Sequence, residues 1–356
     1  MRTKSKSASI LRRLSRVDTL RGMSRIFSGI QPTGELHIGN WLGAVQNWVR
    51  LQDQYDCFYC IADLHAITGE FYDAALHAQR TREMAVGLLA SGIDPARVTL
   101  FVQSHVPAHS ELQWLLNAVT PIGELERMTQ YKDKSAALES IPAGLLNYPI
   151  LMAADILLYR ADLVPVGEDQ VQHLELTRDI CRRWNAHYAG GEPLLPEPQA
   201  LLTEAKRIMG LDGDSKMSKS RGNTIGILDS PGDIWQKLRT AKTDPARVTR
   251  HDPGTPEICN VYHLHRYFSP PETVELVAVN CRGARWGCIE CKRVLADNMA
   301  TTLAPIRERA AELAARPGTV DDILAEGARK AGAVANETLA LVQERMGFMV
   351  RPRAER

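Results

Sequence analysis

Ile26-Phe27-Ser28-Gly29-Ile30-Gln31-Pro32-Thr33-Gly34-Glu35-Leu36-His37-Ile38-Gly39-Asn40 is the stretch whose reading decides the fold. It opens as a short apolar run, turns through Pro32-Thr33-Gly34, and enters a helix in which Leu42, Val45 and Val49 keep helical spacing. A buried strand feeding a glycine-bearing turn and then a helix is the first unit of an alternating α/β domain. Cys57-Phe58-Tyr59-Cys60-Ile61, Val98-Thr99-Leu100-Phe101-Val102 and Leu163-Val164-Pro165-Val166 repeat the strand signal, with helical patterns between them. Ser110 with Gln113 reads as a capping box before Leu115 and Leu116, and Asp169 as the cap of a helix running toward Trp184. The expected class is α/β, a doubly wound parallel sheet with ligands beyond the carboxyl ends of its strands.

Outward from this core the chain changes character. Its 356 residues suffice for two domains. The expected division is a Rossmann-like catalytic domain over 26–225 and a mostly helical domain over 226–346. In the second, strand signals fade and Asp233 to Thr240, Glu272 to Asn280, Cys291 to Ala314 and Val320 to Met346 look helical. Residues 347–356 form a short basic tail. Residues 1–25 are rich in arginine, lysine and serine and read as lying outside the fold, whether as a flexible basic arm, a transit peptide, or sequence upstream of a start at Met23. No apolar run approaches the ~20 residues of a membrane span. A net charge of +1 excludes a strongly basic protein, so any nucleic acid must be met by a local patch.

Two segments speak of phosphate. The turn after the first strand delivers His37 to a helix entrance, where free N–H groups and the dipole favour an anion, and His37 and Asn40 share one face of the first turn. Their ring N–H and amide can donate to a phosphate in its transition state, although both residues could equally serve as helix caps. Far along the chain, Lys216-Met217-Ser218-Lys219-Ser220 lies between Gly213 and Gly222. Lys216 and Lys219 can clamp a migrating pyrophosphate while Ser218 and Ser220 bond its oxygens; a solvated basic loop is the plainer reading.

A third segment, Tyr148-Pro149-Ile150-Leu151-Met152-Ala153-Ala154-Asp155, speaks of a substrate. Pro149 suits a first helical turn, after which Tyr148, Met152 and Asp155 share a face. Asp155, a carboxylate in an apolar helix, needs a partner: an indole N–H, a phenol hydroxyl, or a neighbouring lysine or arginine. Cys259, Cys281, Cys288 and Cys291 form a further set, able to hold a tetrahedral zinc, with His263 and His265 as competing ligands, or an iron–sulfur cube. Arg282, Arg285, Trp286, Lys292 and Arg293 beside them suit contact with a single-stranded RNA loop. Cys57 and Cys60 fall on opposite faces of a strand and read as core.

Taken together, His37 to Asn40 and Lys216 to Ser220 resemble the HIGH and KMSKS signatures of class I aminoacyl-tRNA synthetases. With Ala62-Asp63-Leu64-His65-Ala66-Ile67-Thr68, Gly123 to Gln130, Met152 to Asp155 and Val164 to Gln170, the chain from Ile26 to Met346 resembles the bacterial-type tryptophanyl-tRNA synthetase family. The resemblance implies a ligase that joins L-tryptophan to tRNA(Trp) through an adenylate made from ATP with Mg²⁺. It implies a tryptophan pocket of Phe27, Gly29, His65, Tyr148, Met152, Asp155, Val164, Val166 and Gln170. ATP contacts would come from Gln31, Gly39, Lys134, Asp169, Met217, Ser218 and Ser220, and catalysis from His37, Asn40, Lys216 and Lys219. The cysteine spacing resembles the subgroup with a [4Fe-4S] cluster, zinc being the alternative. A cytoplasmic homodimer is implied, with an organellar location if 1–25 is a transit peptide. A tyrosyl-type enzyme and an adenylyltransferase without tRNA are the competing expectations. Asn40 stands where the signature usually ends in histidine, and Arg221-Gly222-Asn223 replaces a more acidic continuation.

Overall fold

The computed structural model describes residues 22–68, 73–136, 138–202, 208–218 and 221–349. Most of the basic extension and of the tail therefore lies outside the described residues. β1 (Arg25–Ile30), β2 (Asp56–Ile61), β3 (Thr99–Val102), β4 (Leu163–Val166) and β5 (Gln199–Leu202) form one sheet in the order β3-β2-β1-β4-β5, every neighbour parallel. The chain winds outward from β1 in one direction, then returns to its other side, which makes the β1/β4 boundary the switch point where a crevice opens.

The two faces of the sheet bury different cores. Ile26, Cys57, Tyr59 and Leu100 pack on one side, and Phe27, Phe58, Cys60 and Phe101 on the other, as the period of two requires. Cys57 and Cys60 are thus core residues on opposite faces. Trp48 stacks on Tyr59 at 4.5 Å on the first side, and Tyr159 stacks on Phe27 at 5.4 Å on the second.

Several local expectations need correction. β5 has no strong strand signal, because it is a four-residue edge strand that is mostly exposed. The helix carrying Asp155 spans Ala143–Leu158, so Pro149 sits in its interior rather than its first turn. Burial of Leu145, Ile150, Ile156 and Leu157 offsets the ~3 kcal/mol that an interior proline costs. The helix Ala108–Asn117 starts before Ser110, which therefore caps nothing, and Val171–Tyr188 begins at Gln170 with no side-chain cap from Asp169.

Beyond residue 226 the chain is helical: Pro231–Arg239, Asn260–Phe268, Pro271–Arg282, Cys288–Ala314 and Pro317–Arg345. Ser230 caps the first of these in a reciprocal box with Asp233. The last helix returns to the sheet, where Ala331, Ala335, Leu339 and Val342 join the core of Phe27 and Phe101. At Gly327 it touches β3 so closely that a Cβ would stand 1.8 Å from the Leu100 carbonyl oxygen. Among the described residues no helix is long and apolar enough to cross a membrane.

Candidate active site

A cavity of about 1370 Å³ opens at the carboxyl ends of β1 and β4. Phe27, Gly29, Gln31, His37, Gly39, Asn40, His65, Lys134, Tyr148, Met152, Asp155, Val164, Val166, Asp169, Gln170, Lys216 and Met217 all line it. The fold thus gathers in one crevice the residues that the sequence assigned to nucleotide and to amino acid. Ser218 is not among the lining residues. Lys219 and Ser220 lie outside the described residues.

The helix entrance is built by His37. Its Nδ1 accepts hydrogen bonds from the backbone N–H of Gly39 and Asn40, at 3.1 and 3.3 Å. Because Nδ1 accepts, the ring proton of the neutral imidazole belongs on Nε2. Capping and donation to a ligand are therefore compatible roles, and the cap fixes the tautomer that donation needs. Gly39 tolerates no side chain, since a Cβ would meet His37 Nδ1 at 2.9 Å and Met217 Cβ at 3.4 Å.

That contact joins the two phosphate segments. Ile38 donates its N–H to Ile225 O at 2.9 Å and Ile227 to Leu36 O at 3.0 Å, while Met217 N–H reaches Ile208 O at 3.0 Å. Met217 is buried against Gly39, so it anchors the loop and forms wall, with Lys216 exposed beside it. Asn223 ties the loop together. Its Oδ1 accepts from Ser218 N–H at 2.8 Å, and its Nδ2 donates to Asp212 Oδ2 at 2.8 Å and Ser215 Oγ at 3.1 Å. Sequence reading treated this asparagine only as a departure from pattern.

The apolar end holds Asp155, which is 3% exposed. Among the described residues no lysine or arginine pairs with it. His65 Nε2 lies 2.9 Å from Oδ2, while His109 Nδ1 and Gln103 Nε2 lie 2.6 and 2.7 Å from Oδ1. Burial alone would raise this carboxyl, but His109 and His65 more than offset it and bring its pKa down to about 2. A carboxylate has about four acceptor positions. Three are taken, and the fourth is left for a donor in the crevice. The sequence had Asp155 needing a partner, from a ligand or from a neighbouring lysine or arginine; two histidines and a glutamine distant in sequence already do most of that work.

Tyr148 forms the opposite wall. Its hydroxyl lies 2.7 Å from His173 Nε2 and 3.2 Å from Gln130 Oε1, and Gln130 Nε2 donates to Asp169 O at 3.2 Å. Burial first, and then the charge of Lys134, push His173 down to about 4, so it is neutral near pH 7. A neutral His173 with its proton on Nε2 donates to Tyr148, whose O–H then donates to Gln130. The ring's buried Nδ1, which has no partner, is then an acceptor, cheaper to leave unpaired than a donor. Lys134 sits over the Tyr148 ring, 5.3 Å from its centroid.

The cysteine set meets at helix ends. Cys259 precedes Asn260–Phe268, Cys281 lies in the last turn of Pro271–Arg282, and Cys288 and Cys291 open Cys288–Ala314. Burial, and then the charges of Cys259, Cys281 and Cys288, push the Cys291 thiol up to about 12. Arg247 Nη1 lies 3.8 Å from Cys281 Sγ. Among the described residues, no three His, Cys, Asp or Glu side chains close around a single metal ion. His263 Nε2 meets Glu257 O at 2.8 Å, whereas His265 joins the set, its Nδ1 meeting Ser269 Oγ at 2.7 Å and its Nε2 lying 3.5 Å from Cys291 Sγ. Of the basic group, Lys292 is not available to RNA: it is 6% exposed and donates to Ala241 O at 2.6 Å and Arg239 O at 3.0 Å. Arg282 pairs with Glu257.

The model of the family "tRNA synthetases class I (W and Y)" matches residues 20–304. A "Tryptophan--tRNA ligase" of Deinococcus radiodurans is 57% identical over 331 residues, spanning 92% of this chain and 99% of its own. One from Thermosynechococcus vestitus is 49% identical, with 91% and 99% covered. Among solved structures, a tryptophanyl-tRNA synthetase from Campylobacter jejuni, complexed with ADP and tryptophan, superposes with a TM-score of 0.84 at 35% identity, covering 91% of this chain and 100% of that one.

Proposed function

We infer the reaction from one premise: the chain belongs to the class I tRNA synthetases of the tryptophan and tyrosine group, and its activity is that of a tryptophan–tRNA ligase. L-tryptophan, ATP and tRNA(Trp) are its substrates. The observation that carries the reading is a single crevice that is phosphate-adapted at one end and holds a buried, ionised carboxylate at the other.

In the first half-reaction a carboxylate oxygen of tryptophan attacks the α-phosphorus of ATP, the bond from that phosphorus to the α,β-bridging oxygen breaks, and pyrophosphate leaves. Phe27, Gly29, Met152, Val164 and Val166 would enclose the indole, and Asp155 Oδ2 would accept its N–H. Gln170, with Tyr148 and His65 nearby, would orient the amino acid's polar end. Gln31, Gly39, Lys134 and Asp169 would hold ATP, and Mg²⁺ accompanying it would neutralise phosphate charge. His37 Nε2–H, Asn40 and Lys216, with Lys219, Ser218 and Ser220 from the same loop, would follow the charge that grows on the leaving phosphates. Such donors accelerate because they bind the transition state better than the ground state. In the second half-reaction a hydroxyl at the tRNA 3′ end attacks the adenylate carbonyl and AMP departs. Neither step needs a covalent enzyme intermediate, and positioning supplies much of the rate. Pyrophosphate exchange with each amino acid in turn tests the reading. Exchange should require tryptophan, and exchange with tyrosine instead would overturn it.

The same proposal extends to the helical end and to assembly. Residues 26–225 would form the catalytic domain and 226–346 the anticodon-binding one. Cys259, Cys281, Cys288 and Cys291 would hold a [4Fe-4S] cluster. What supports this is four thiols gathered at adjoining helix ends, Cys259, Cys281 and Cys291 being near enough to respond to their neighbours' charge. Anaerobically purified protein should be brown and contain iron and sulfide, and Cys288→Ser should bleach it while tryptophan-dependent exchange persists. Colourless anaerobic protein with one equivalent of zinc would reject the cube. A homodimer is supported by the exposed Trp114 on the helix Ala108–Asn117 and the exposed Ile122 on Ile122–Glu126. A cytoplasmic location rests on the kinship with bacterial relatives.

A further inference from the structure

Asp155 is held from behind by a chain of side chains that never touches the crevice. Oδ2, on the His65 side, faces the cavity, since His65 and Asp155 both line it; Gln103 and His109 do not. Both of those residues are fully buried and both approach Oδ1. The orientation of each is determined by its other bond. Gln103 Oε1 accepts the backbone N–H of Leu64 at 3.2 Å, which fixes its amide so that Nε2 donates to Asp155. His109 Nε2 lies 2.8 Å from the Tyr159 hydroxyl, whose proton burial retains. A carboxylate can only accept, so His109 Nδ1 directs its proton at Asp155 while Nε2 and the Tyr159 hydroxyl satisfy each other behind the ring. Tyr159 cannot swing away, because its ring is stacked on Phe27 at 5.4 Å and on Phe58 at 4.7 Å.

We propose that His109, fixed by Tyr159, is a positioning residue for amino-acid specificity: it holds Asp155 as a rigid, acceptor-only carboxylate whose one open lone pair demands an N–H from the side chain of the substrate. The physical basis is an asymmetry. A buried acceptor left without a donor costs more than the net gain of a satisfied bond, so a carboxylate that cannot rotate or take up a proton rejects a ligand lacking the N–H. Without the His109 bond the carboxylate could turn or protonate, and in the protonated state it would become a donor and lose that discrimination. The inference rests on the reading that Asp155 meets the indole N–H.

The test compares pyrophosphate exchange for tryptophan and for β-(3-benzothienyl)alanine, which replaces the indole N–H with sulfur and keeps the shape. The quantity is the ratio of their kcat/KM values. In His109→Leu the ratio should fall about tenfold or more, with the loss in KM for tryptophan and the analogue changed little. His109→Asn, whose amide reaches the Nδ1 position, should restore most of the ratio. His109→Gln, which fills the site but presents its amide toward Tyr159, should not, and it decides the matter if the leucine variant fails to fold. A wild-type ratio in His109→Gln, or a parallel loss for both substrates, would overturn the proposal. A wild-type enzyme that does not prefer tryptophan to the analogue would instead reject the assignment of Asp155 to the indole.

Discussion

His37 and Asp155 show how a side chain acquires a role from the bond on its far side. His37 looked like a choice between helix cap and phosphate donor, yet the cap at Nδ1 is what commits the proton to Nε2. Asp155 looked like a carboxylate in need of a partner, from a ligand or a neighbouring cation, yet three other donors already hold it. The crevice-facing residues were legible because each belongs to a short motif: a helix entrance, a lysine loop, one face of a helix. Gln103, His109, Tyr159 and His173 were not. They are single polar residues in otherwise ordinary strand-end and helix sequences, and it is chiefly the packing of the helix Ala143–Leu158 against Ala108–Asn117 and Val171–Tyr188 that brings them to Asp155 or Tyr148. No local periodicity records such a meeting. Lys292 erred in the other direction: a lysine beside cysteines and arginines reads as surface, but its ammonium caps the end of the helix Pro231–Arg239, donating to the carbonyl of its last residue, Arg239, and to that of Ala241 just beyond it.

At the scale of elements, four strands were readable because their apolar residues are buried or half-buried, whereas β5 carries the exposed composition of an edge. Helix limits were less legible wherever packing overrides a local rule, as at Pro149. The last helix gives a sharp instance of the same principle. Gly327 and Gly332 lie in one helix and differ only in what faces them. A Cβ at Gly332 would meet nothing nearer than Asn336 Nδ2 at 3.9 Å, whereas one at Gly327 would penetrate the Leu100 carbonyl. Helix propensity favours alanine at either site by ~1 kcal/mol. At Gly327 the overlap with strand backbone should reverse the sign, since overpacking costs ~1–3 kcal/mol and backbone yields less than a side chain. Gly332→Ala should therefore raise the thermal midpoint and Gly327→Ala lower it. Equal shifts in the two variants would show that the helix does not seat on β3 as described.

For the molecule as a whole, the buried histidine behind Tyr148 links stability to pH. His173 is held down to about 4 against an ordinary 6.5, mainly by burial and then by Lys134, with His65 adding to the lowering and Asp169 opposing it. A group depressed in this way is neutral in the folded state and charges first in the unfolded chain. Above pH 6.5 neither state binds the proton and there is no penalty. As pH falls from about 6.5 toward 4 the unfolded chain gains protons that the native protein refuses, and stability declines by up to ~3 kcal/mol from this residue. Asp155 acts in a lower window, because its contribution is complete above its ordinary 3.8 and is lost only as pH falls toward about 2. His173→Gln keeps a donor for Tyr148 but cannot titrate. Urea midpoints at pH 7.5 and 5 should then show wild type losing more stability than the variant, with the two alike at the higher pH. The crevice should feel the same titration. Protonating His173 would place a positive charge next to Lys134 and disturb the Tyr148–Gln130–Asp169 chain, so the tryptophan KM should rise on acidification in wild type and stay flatter in His173→Gln. Parallel profiles for both proteins, in stability and in KM, would show that His173 is not the group that titrates.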